Sequence, residues 1–557
     1  MGKSLFISLL LLIFIVTNLF GQQSEGGLPR KAITLKSAKI QALSMPQVNN
    51  EALRWESEQQ AKEGLLKPFT FAHPFEVNLS PLTYGVWGKS EDGWWIWQLT
   101  IHSEGALSLN LLFEQFELQE RSRLFLYTPD FQVIRGAYTW KNNSQDRVLT
   151  VTPVPGDEVV VQYETPYPPA STADFVITRV NHDYVGVLKY VDTRRPLGIT
   201  AGDCNREINC DQADRWRELQ NSVCRIMVLG KDLCTATLVN NTAENKKPYL
   251  LTANHCVNTP LKASTTLFLF NYESPYCGTL DGDVTNSLSG SKLKATLDSL
   301  DFALLELNTL PPPTFRPYYA GWTRSAQLTD TVACIHHPQG DVKKIAIDHD
   351  TPVIATFLSS FVKNAFWKVF KWDVGTTEFG SSGGPCFNRS GQLFGTLSGG
   401  AAVCSNPVND YFARFDMAWS YKSDSTKQLK HWLDPAGKNP VSFNGKQFNS
   451  GENLCGEFTN LAEGDTHQLS LLPSPSIGYW TGTNNGGITE IADKFTIPGD
   501  EILSGLYLGI GRKYLVSMNS ASYVKIKVYN LNQQTPVLLA EKDSVFLKNL
   551  TPDAMNY

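Results

Sequence analysis

The chain of 557 residues contains no Cys-x-x-Cys pair and no His-Glu-x-x-His segment, so the usual sequence grounds for a zinc centre are missing. It also lacks a large surplus of either charge. The 49 basic and 54 acidic residues leave a formal net charge of −5, which gives no reason to expect nucleic acid or an anionic membrane as partner. Long apolar runs are absent except at the start. There Lys3 precedes the almost unbroken apolar run Leu5–Phe20, and Gly21, Gln22 and Gln23 follow, which is the layout of a secretory signal over residues 1–21. The run is short for a bilayer span, and no later segment is long enough to cross a membrane. An exported, soluble chain in an oxidising setting is expected, and disulfides persist in such a setting.

Apolar residues make up 42% of the chain and aromatic residues 11%, enough for several cores and for three or four domains. From Pro81 the pattern has period two. Trp94–Ile101, Leu107–Phe113, Arg123–Tyr127, Arg147–Val151 and Glu158–Tyr163 read as strands separated by turn residues such as Pro155, Gly156 and Asp157. A small β-sandwich is expected over this region. Before it, Gln22 to about Phe75 is polar and weakly periodic, and reads as a leader or a loosely packed helical stretch. His182 and Asp183 in RVNHDYVG read as an ordinary strand end. After Gly445 alternation returns in Leu503–Ile510, Tyr514–Met518 and Val524–Tyr529, which suggests a second accessory β region. Met555, Asn556 and Tyr557 give no clear strand ending, and a truncated end is expected there.

Ten cysteines are present, nine of them between Cys204 and Cys404. Disulfides suit this bunching better than metal, since only Cys256 sits beside a histidine. His336 and His337 in IHHP are adjacent, and neighbours on a strand point to opposite faces, which argues against a shared metal. DGDVTN at 281–286 is acidic but reads as a solvated turn. No metal and no cofactor is expected.

The chemistry concentrates in TTEFGSSGGPCFN at 376–388, where Ser382 lies between Gly380 and the pair Gly383 and Gly384. A hydroxyl is a weak nucleophile at neutral pH and needs an adjacent base and amide donors for the oxyanion it creates. The glycines permit such a backbone, and the N–H groups of Gly380 and Ser382 are assigned to that hole. Upstream, YLLTANHC at 249–256 is an apolar strand ending in a polar turn with His255. Between them, SLDFALLEL at 299–307 has Asp301 opening an apolar strand. Base, orienting carboxylate and nucleophile are thus present in the order His, Asp, Ser.

TANHC, DFALLEL and GSSGGP resemble the histidine, aspartate and serine motifs of the trypsin-like serine peptidases. CNREINC at 204–210, LVNNTAENKKPYLLTANHC at 238–256, FNYESPYC at 270–277, IHHP at 335–338 and WLDPA at 432–436 resemble, more narrowly, the secreted bacterial lysyl endopeptidases. The resemblance covers roughly Gly198 to Gly445. It implies a mainly β chain with a two-β-barrel trypsin-like protease domain, His255 and Asp301 on the first barrel and Ser382 on the second, flanked by N-terminal and C-terminal β-sandwich-like domains. The implied layout is a signal at 1–21, an N-terminal β domain serving as propeptide at 22–195, the protease at 196–445 and an accessory domain at 446–557. Processing would fall in DTRRPLGITAG at 192–202, although Pro196 makes cleavage after Arg195 awkward. WTGTNN at 480–485 resembles accessory domains of secreted proteins of gliding-type bacteria.

The same resemblance pairs Cys204 with Cys404, Cys210 with Cys277 and Cys234 with Cys256, and suggests a bridge between Cys334 and Cys386. Cys224 and Cys455 are left without assigned partners. Ser398, Gly399 and Gly400 match the segment that pairs with a substrate backbone, and Asp410 matches the acid of a pocket for a cationic side chain. Cleavage after Lys, with Arg allowed, is expected of a monomer acting on protein or peptide substrates. Three departures stand out: Thr376 occupies the position of trypsin's pocket acid, Ser398 stands where the lysyl enzymes have histidine, and their pocket tryptophan has no clear counterpart beyond Phe361. Ser381 also replaces the aspartate that pairs with a new N-terminus in trypsin, so control is expected from the N-terminal domain. The competing reading is an inactive trypsin-like scaffold that binds protein or glycan. Ser425–Leu433, with Leu429, Trp432 and Leu433 on one side, is expected to close the second barrel as a helix.

Overall fold

In the N-terminal region, alternation along each strand creates one apolar face, and two sheets bury those faces against each other. One sheet runs in the order Leu43–Ser44, Trp95–His102, Glu158–Thr165, Arg123–Tyr127, Ile134–Tyr138, with Val86–Lys89 also on Trp95–His102. The other runs Val154–Pro155, Ser108–Glu114, Val176–Asp183, Ala72–Leu79. Trp97, Leu99 and Ile101 of the first face Leu109, Leu111 and Phe113 of the second in a single core. This computed structural model describes residues 24–31, 42–63, 66, 68–188, 201–278, 281–328 and 331–448, together with the strands 508–510, 523–530, 537–546 and 554–556.

The stretch read from sequence as a leader or loose helix instead holds an α-helix, Asn50–Glu63, and the strand Ala72–Leu79. His182 and Asp183 are buried at the end of their strand. His182 bonds Ser103 Oγ and Asn50 Oδ1, while Asp183 accepts the amides of Val185, Gly186 and Val187. Desolvation raises the pKa of the Asp183 carboxyl.

Two further antiparallel sheets form the halves of the trypsin-like fold. The first is ordered Ser287–Ser289, Leu267–Phe270, Val223–Val228, Asp232–Val239, Tyr249–Thr252, Phe302–Leu307, Ser291–Leu297. Its interior is filled by side chains such as Ile226, Ala236, Leu250, Phe268 and Leu305. The second is ordered Arg206–Glu207, Lys344–Asp348, Val332–His336, Pro385–Asn388, Leu393–Gly400, Val408–Arg414, Phe366–Lys371, Val353–Ala355. Trp367, Trp372, Phe394, Leu397 and Phe412 pack inside it. A larger core that includes Trp216, Leu304, Trp322, Phe387 and Trp419 joins the two halves.

The expected closing helix is broken into a 3-10 turn, Ser425–Lys427, and a short helix, Lys430–Leu433, because Gln428 between them is extended at φ −149° and ψ 152°. Leu429 and Leu433 are nevertheless fully buried.

The described residues fall into two units, one ending at Asn449 and one starting at Ser450. In the second, Leu508–Ile510 pairs with Ala554–Asn556 and Tyr523–Asn530 with Val537–Phe546, so the chain's last residues do carry a strand. The signal at 1–21, the processing segment up to 200, Cys455 and the WTGTNN stretch lie outside the described residues.

Candidate active site

His255 stands on the turn after Tyr249–Thr252, and the disulfide Cys234–Cys256 ties that turn to the neighbouring strand. Asp301 closes a 3-10 turn in left-handed backbone, φ 49°, just before Phe302–Leu307. That turn aims its buried carboxylate at the histidine. Asp301 Oδ1 accepts the His255 backbone N–H at 3.0 Å, and the ring Nδ1 lies 3.1 and 3.0 Å from the two carboxylate oxygens. An ionised carboxylate can only accept, so the ring proton is assigned to Nδ1. Nε2 is left to accept from Ser382 Oγ at 2.8 Å.

Ser382 is held from both halves of the fold. Its carbonyl accepts from Thr235 N at 2.7 Å, and the next residue, Gly383, donates to Leu397 O at 2.8 Å. Gly383 is required here, since a Cβ would collide with Thr235 O and Thr252 Oγ1. Gly380 has φ +90°, its carbonyl accepts from Thr235 Oγ1 at 3.1 Å, and the loop before it accepts the Gln339 N–H at Phe379 O. Ser381 Oγ bonds His336 Nδ1 at 2.7 Å and accepts from Glu378 N at 3.1 Å. These contacts hold the Gly380–Ser382 backbone in shape before any ligand arrives.

Asp410 is fully buried on Val408–Arg414, directly opposite Gly400. It accepts from Trp372 Nε1 at 2.7 Å and Thr377 Oγ1 at 2.6 Å. Sequence reasoning missed both donors. Thr377 lies within the serine motif, so a hydroxyl five residues before the nucleophile was the available signal; Trp372 had none. Phe361 stacks in a cluster with Phe357 and Phe366, and Phe357 continues the stack onto Tyr411. Ser398 is buried on Leu393–Gly400 next to Gly399 and Gly400.

Three disulfides join Cys204 to Cys404, Cys210 to Cys277 and Cys234 to Cys256. The bridge suggested between Cys334 and Cys386 is absent, and both remain thiols. The two face each other in direct antiparallel register. Directly opposed residues keep their Cβ atoms about 4.5–5.5 Å apart, at or beyond the usual span of a disulfide. Burial pushes the Cys386 and Cys224 thiols well up.

His336 and His337 do not share a site: His337 stacks on Tyr272 and its Nδ1 meets Asp341 O at 2.9 Å. Burial keeps its ring well below the ordinary imidazole pKa. Asp281 accepts from Tyr272 OH and Gly282 N, as a turn residue does. Among the described residues, Cys234, His255 and Cys256 are the one close group of metal-ligand types, with atoms within 4.8 Å, and both sulfurs are already bridged.

Residues 199–413 match the family model "Lysyl endopeptidase, C-terminal domain". A curated relative, a lysyl endopeptidase of Pseudomonas aeruginosa, is 28% identical over 240 residues, which cover 40% of this chain and 51% of that one. Secreted RxLR effector protein 73 of Plasmopara viticola is 26% identical over 239 residues, covering 40% and 55%. The chain thus spans about half the length of the curated relatives it matches. Among solved structures, the active form of the Rv3671c protease from M. tuberculosis is 17% identical, with 40% of this chain and 88% of that one covered and a TM-score of 0.25. Residues 199–413, which carry the paired antiparallel sheets described above, are thus similar to the C-terminal domain of the lysyl endopeptidases.

Proposed function

We propose that this chain is an exported serine endopeptidase that hydrolyses peptide bonds after lysine, with arginine also accepted. The observation that carries the reading is the continuous line from Asp301 through His255 to Ser382, with contacts of 3.0 and 2.8 Å. Ser382 Oγ attacks the scissile carbonyl carbon while His255 Nε2 takes its proton. The N–H groups of Gly380 and Ser382 receive the oxyanion. As the carbon–nitrogen bond breaks, His255 returns the proton to the leaving amine, and water then releases the acyl group along the same path. Asp301 keeps the ring in the required tautomer.

Asp410 matches the pocket acid of the lysyl endopeptidases, and a buried negative charge held in place by Trp372 and Thr377 attracts a cationic side chain. The signal at residues 1–21 and three disulfides support export. We assign residues 22–195 to a propeptide on the same reading.

The test is a cleavage profile on a peptide library with processed wild type, Ser382→Ala and Asp410→Ala. Ser382→Ala is expected to lose about 10⁶-fold in rate. Asp410→Ala should lose its preference for lysine. Full lysyl activity in Asp410→Ala would refute the pocket, and unchanged cleavage by Ser382→Ala would refute the triad.

A further inference from the structure

The backbone around Ser382 is a run of captured carbonyls. Phe379 O accepts the Gln339 N–H, Gly380 O accepts from Thr235 Oγ1 at 3.1 Å, Ser381 O from Gly384 N at 2.9 Å and Ser382 O from Thr235 N at 2.7 Å. In a trans peptide the C=O and the N–H that follows it point in opposite directions. Fixing Phe379 O therefore fixes the direction of the Gly380 N–H, and fixing Ser381 O does the same for the Ser382 N–H. Among the described residues neither of these two N–H groups has an acceptor.

Thr235 recurs throughout this frame. It is fully buried on Asp232–Val239, next to Cys234, whose bridge to Cys256 reaches the turn of His255. Its hydroxyl has one proton and two lone pairs. The proton goes to Gly380 O, and a lone pair accepts the His337 N–H at 3.2 Å. His337 opens the turn 337–340, in which Gly340 N donates back to His337 O at 3.2 Å. Within that turn Gln339 takes left-handed backbone, φ 54°, and presents its N–H to Phe379 O. One hydroxyl thus grips the nucleophile loop directly at Gly380 and, through His337, the turn that grips it at Phe379. The Thr235 backbone is fixed in its turn by Thr252 Oγ1, which donates to Thr235 O at 2.8 Å. A buried strand position asks only for a β-branched outline, which valine would supply equally well. The hydroxyl serves the two loops.

We propose that Thr235 is a positioning residue for the oxyanion hole: its hydroxyl aims the Gly380 and Ser382 N–H groups at the charge that develops on the substrate carbonyl oxygen, without itself touching substrate. The inference rests on the peptidase reading and adds to it a residue outside the line from Asp301 to Ser382. Charge on that oxygen is greatest in the transition state, so a badly aimed hole lowers kcat and leaves ground-state binding alone. Deleting a hole donor outright costs about 10²–10³ in kcat, and Thr235 acts through the donors, so a smaller loss is expected.

Three chains separate the hydroxyl from the shape around it: processed wild type, Thr235→Val, which keeps the branched outline, and Thr235→Ser, which keeps the hydroxyl. On a lysyl peptide, Thr235→Val is expected to lose about tenfold or more in kcat with KM within about twofold of wild type, and Thr235→Ser to recover most of the rate. The second readout is amide hydrogen exchange over 337–340 and 376–388, which reports the grip on both loops whether or not the chain is a peptidase. Exchange should quicken in Thr235→Val and return towards wild type in Thr235→Ser. Unchanged kcat or unchanged exchange in Thr235→Val would overturn the proposal, and so would a loss carried by KM. Equal losses in both variants would also overturn it, since they would follow packing and not the hydroxyl. A wild type that cleaves nothing, with exchange still quickened in Thr235→Val alone, would uphold the grip of Thr235 on the loops and sink the peptidase reading instead.

Discussion

A single methyl group at residue 400 would reach the carboxylate proposed to line the pocket: a Cβ there falls 2.5 Å from Asp410 Oδ1 and meets Asn409 O as well. Gly400 is thus required by close approach. Forcing the extra carbon in costs about 1–3 kcal/mol and displaces the group that would select the substrate. Gly400→Ala is expected to lower kcat/KM on lysyl peptides by about tenfold or more, while probe labelling of Ser382 falls much less. Equal losses in both measurements would mean that the change had disturbed the triad, not the pocket. The grouping of His255, Asp301 and Ser382 was legible in the sequence because each sits on its own short motif, and the three side chains do lie in hydrogen-bonding sequence. The donors to Asp410 were not, because Trp372 and Thr377 reach it from 38 and 33 residues away through the fold.

At the scale of elements, His182 at the end of Val176–Asp183 links the helix Asn50–Glu63 to the sandwich through Asn50 and Ser103. Burial pushes its ring down to about 4, with His73 adding to the effect and Asp157 opposing it. The folded state therefore prefers the neutral ring. The sign follows: this contribution to stability is fully present above pH 6.5 and is lost as pH falls from 6.5 towards 4. Thermal unfolding between pH 7 and pH 4 is expected to show the N-terminal sandwich losing stability over that window, and His182→Asn should flatten the dependence. An unaltered slope in the variant would assign the effect to other groups. The sandwich strands were readable from period two, Arg123–Tyr127 to the residue. The helix Asn50–Glu63 was not, since its apolar residues are few and it is held by partners such as Tyr184 and His182 that lie more than a hundred residues on. Ser425–Leu433 failed in the other direction: helical spacing was present, but burial of Leu429 and Leu433 was achieved with the helix broken at Gln428, ahead of both.

For the whole molecule, the disulfide Cys204–Cys404 closes a loop with a sequence separation of 200 and ties the segment before Arg206–Glu207 to the turn that follows Leu393–Gly400. Nearby, Ala201 N donates to Asp341 Oδ2 and Gly202 N to Glu378 Oε2. Replacing both cysteines with serine is expected to cost about 5 kcal/mol on the loop-entropy account, read as a shift in the guanidinium midpoint. A midpoint unchanged from wild type would show that the backbone contacts alone hold the junction. Such contacts join residues too distant in sequence for any local pattern to reveal them. The pairing of Phe69 and Thr70 with Leu233 and Asp232 has a consequence in time. Chain growth makes Phe69 and Thr70 long before their partners, so the added strand exists before the sheet edge that it joins. During synthesis that sheet is completed onto a strand already made.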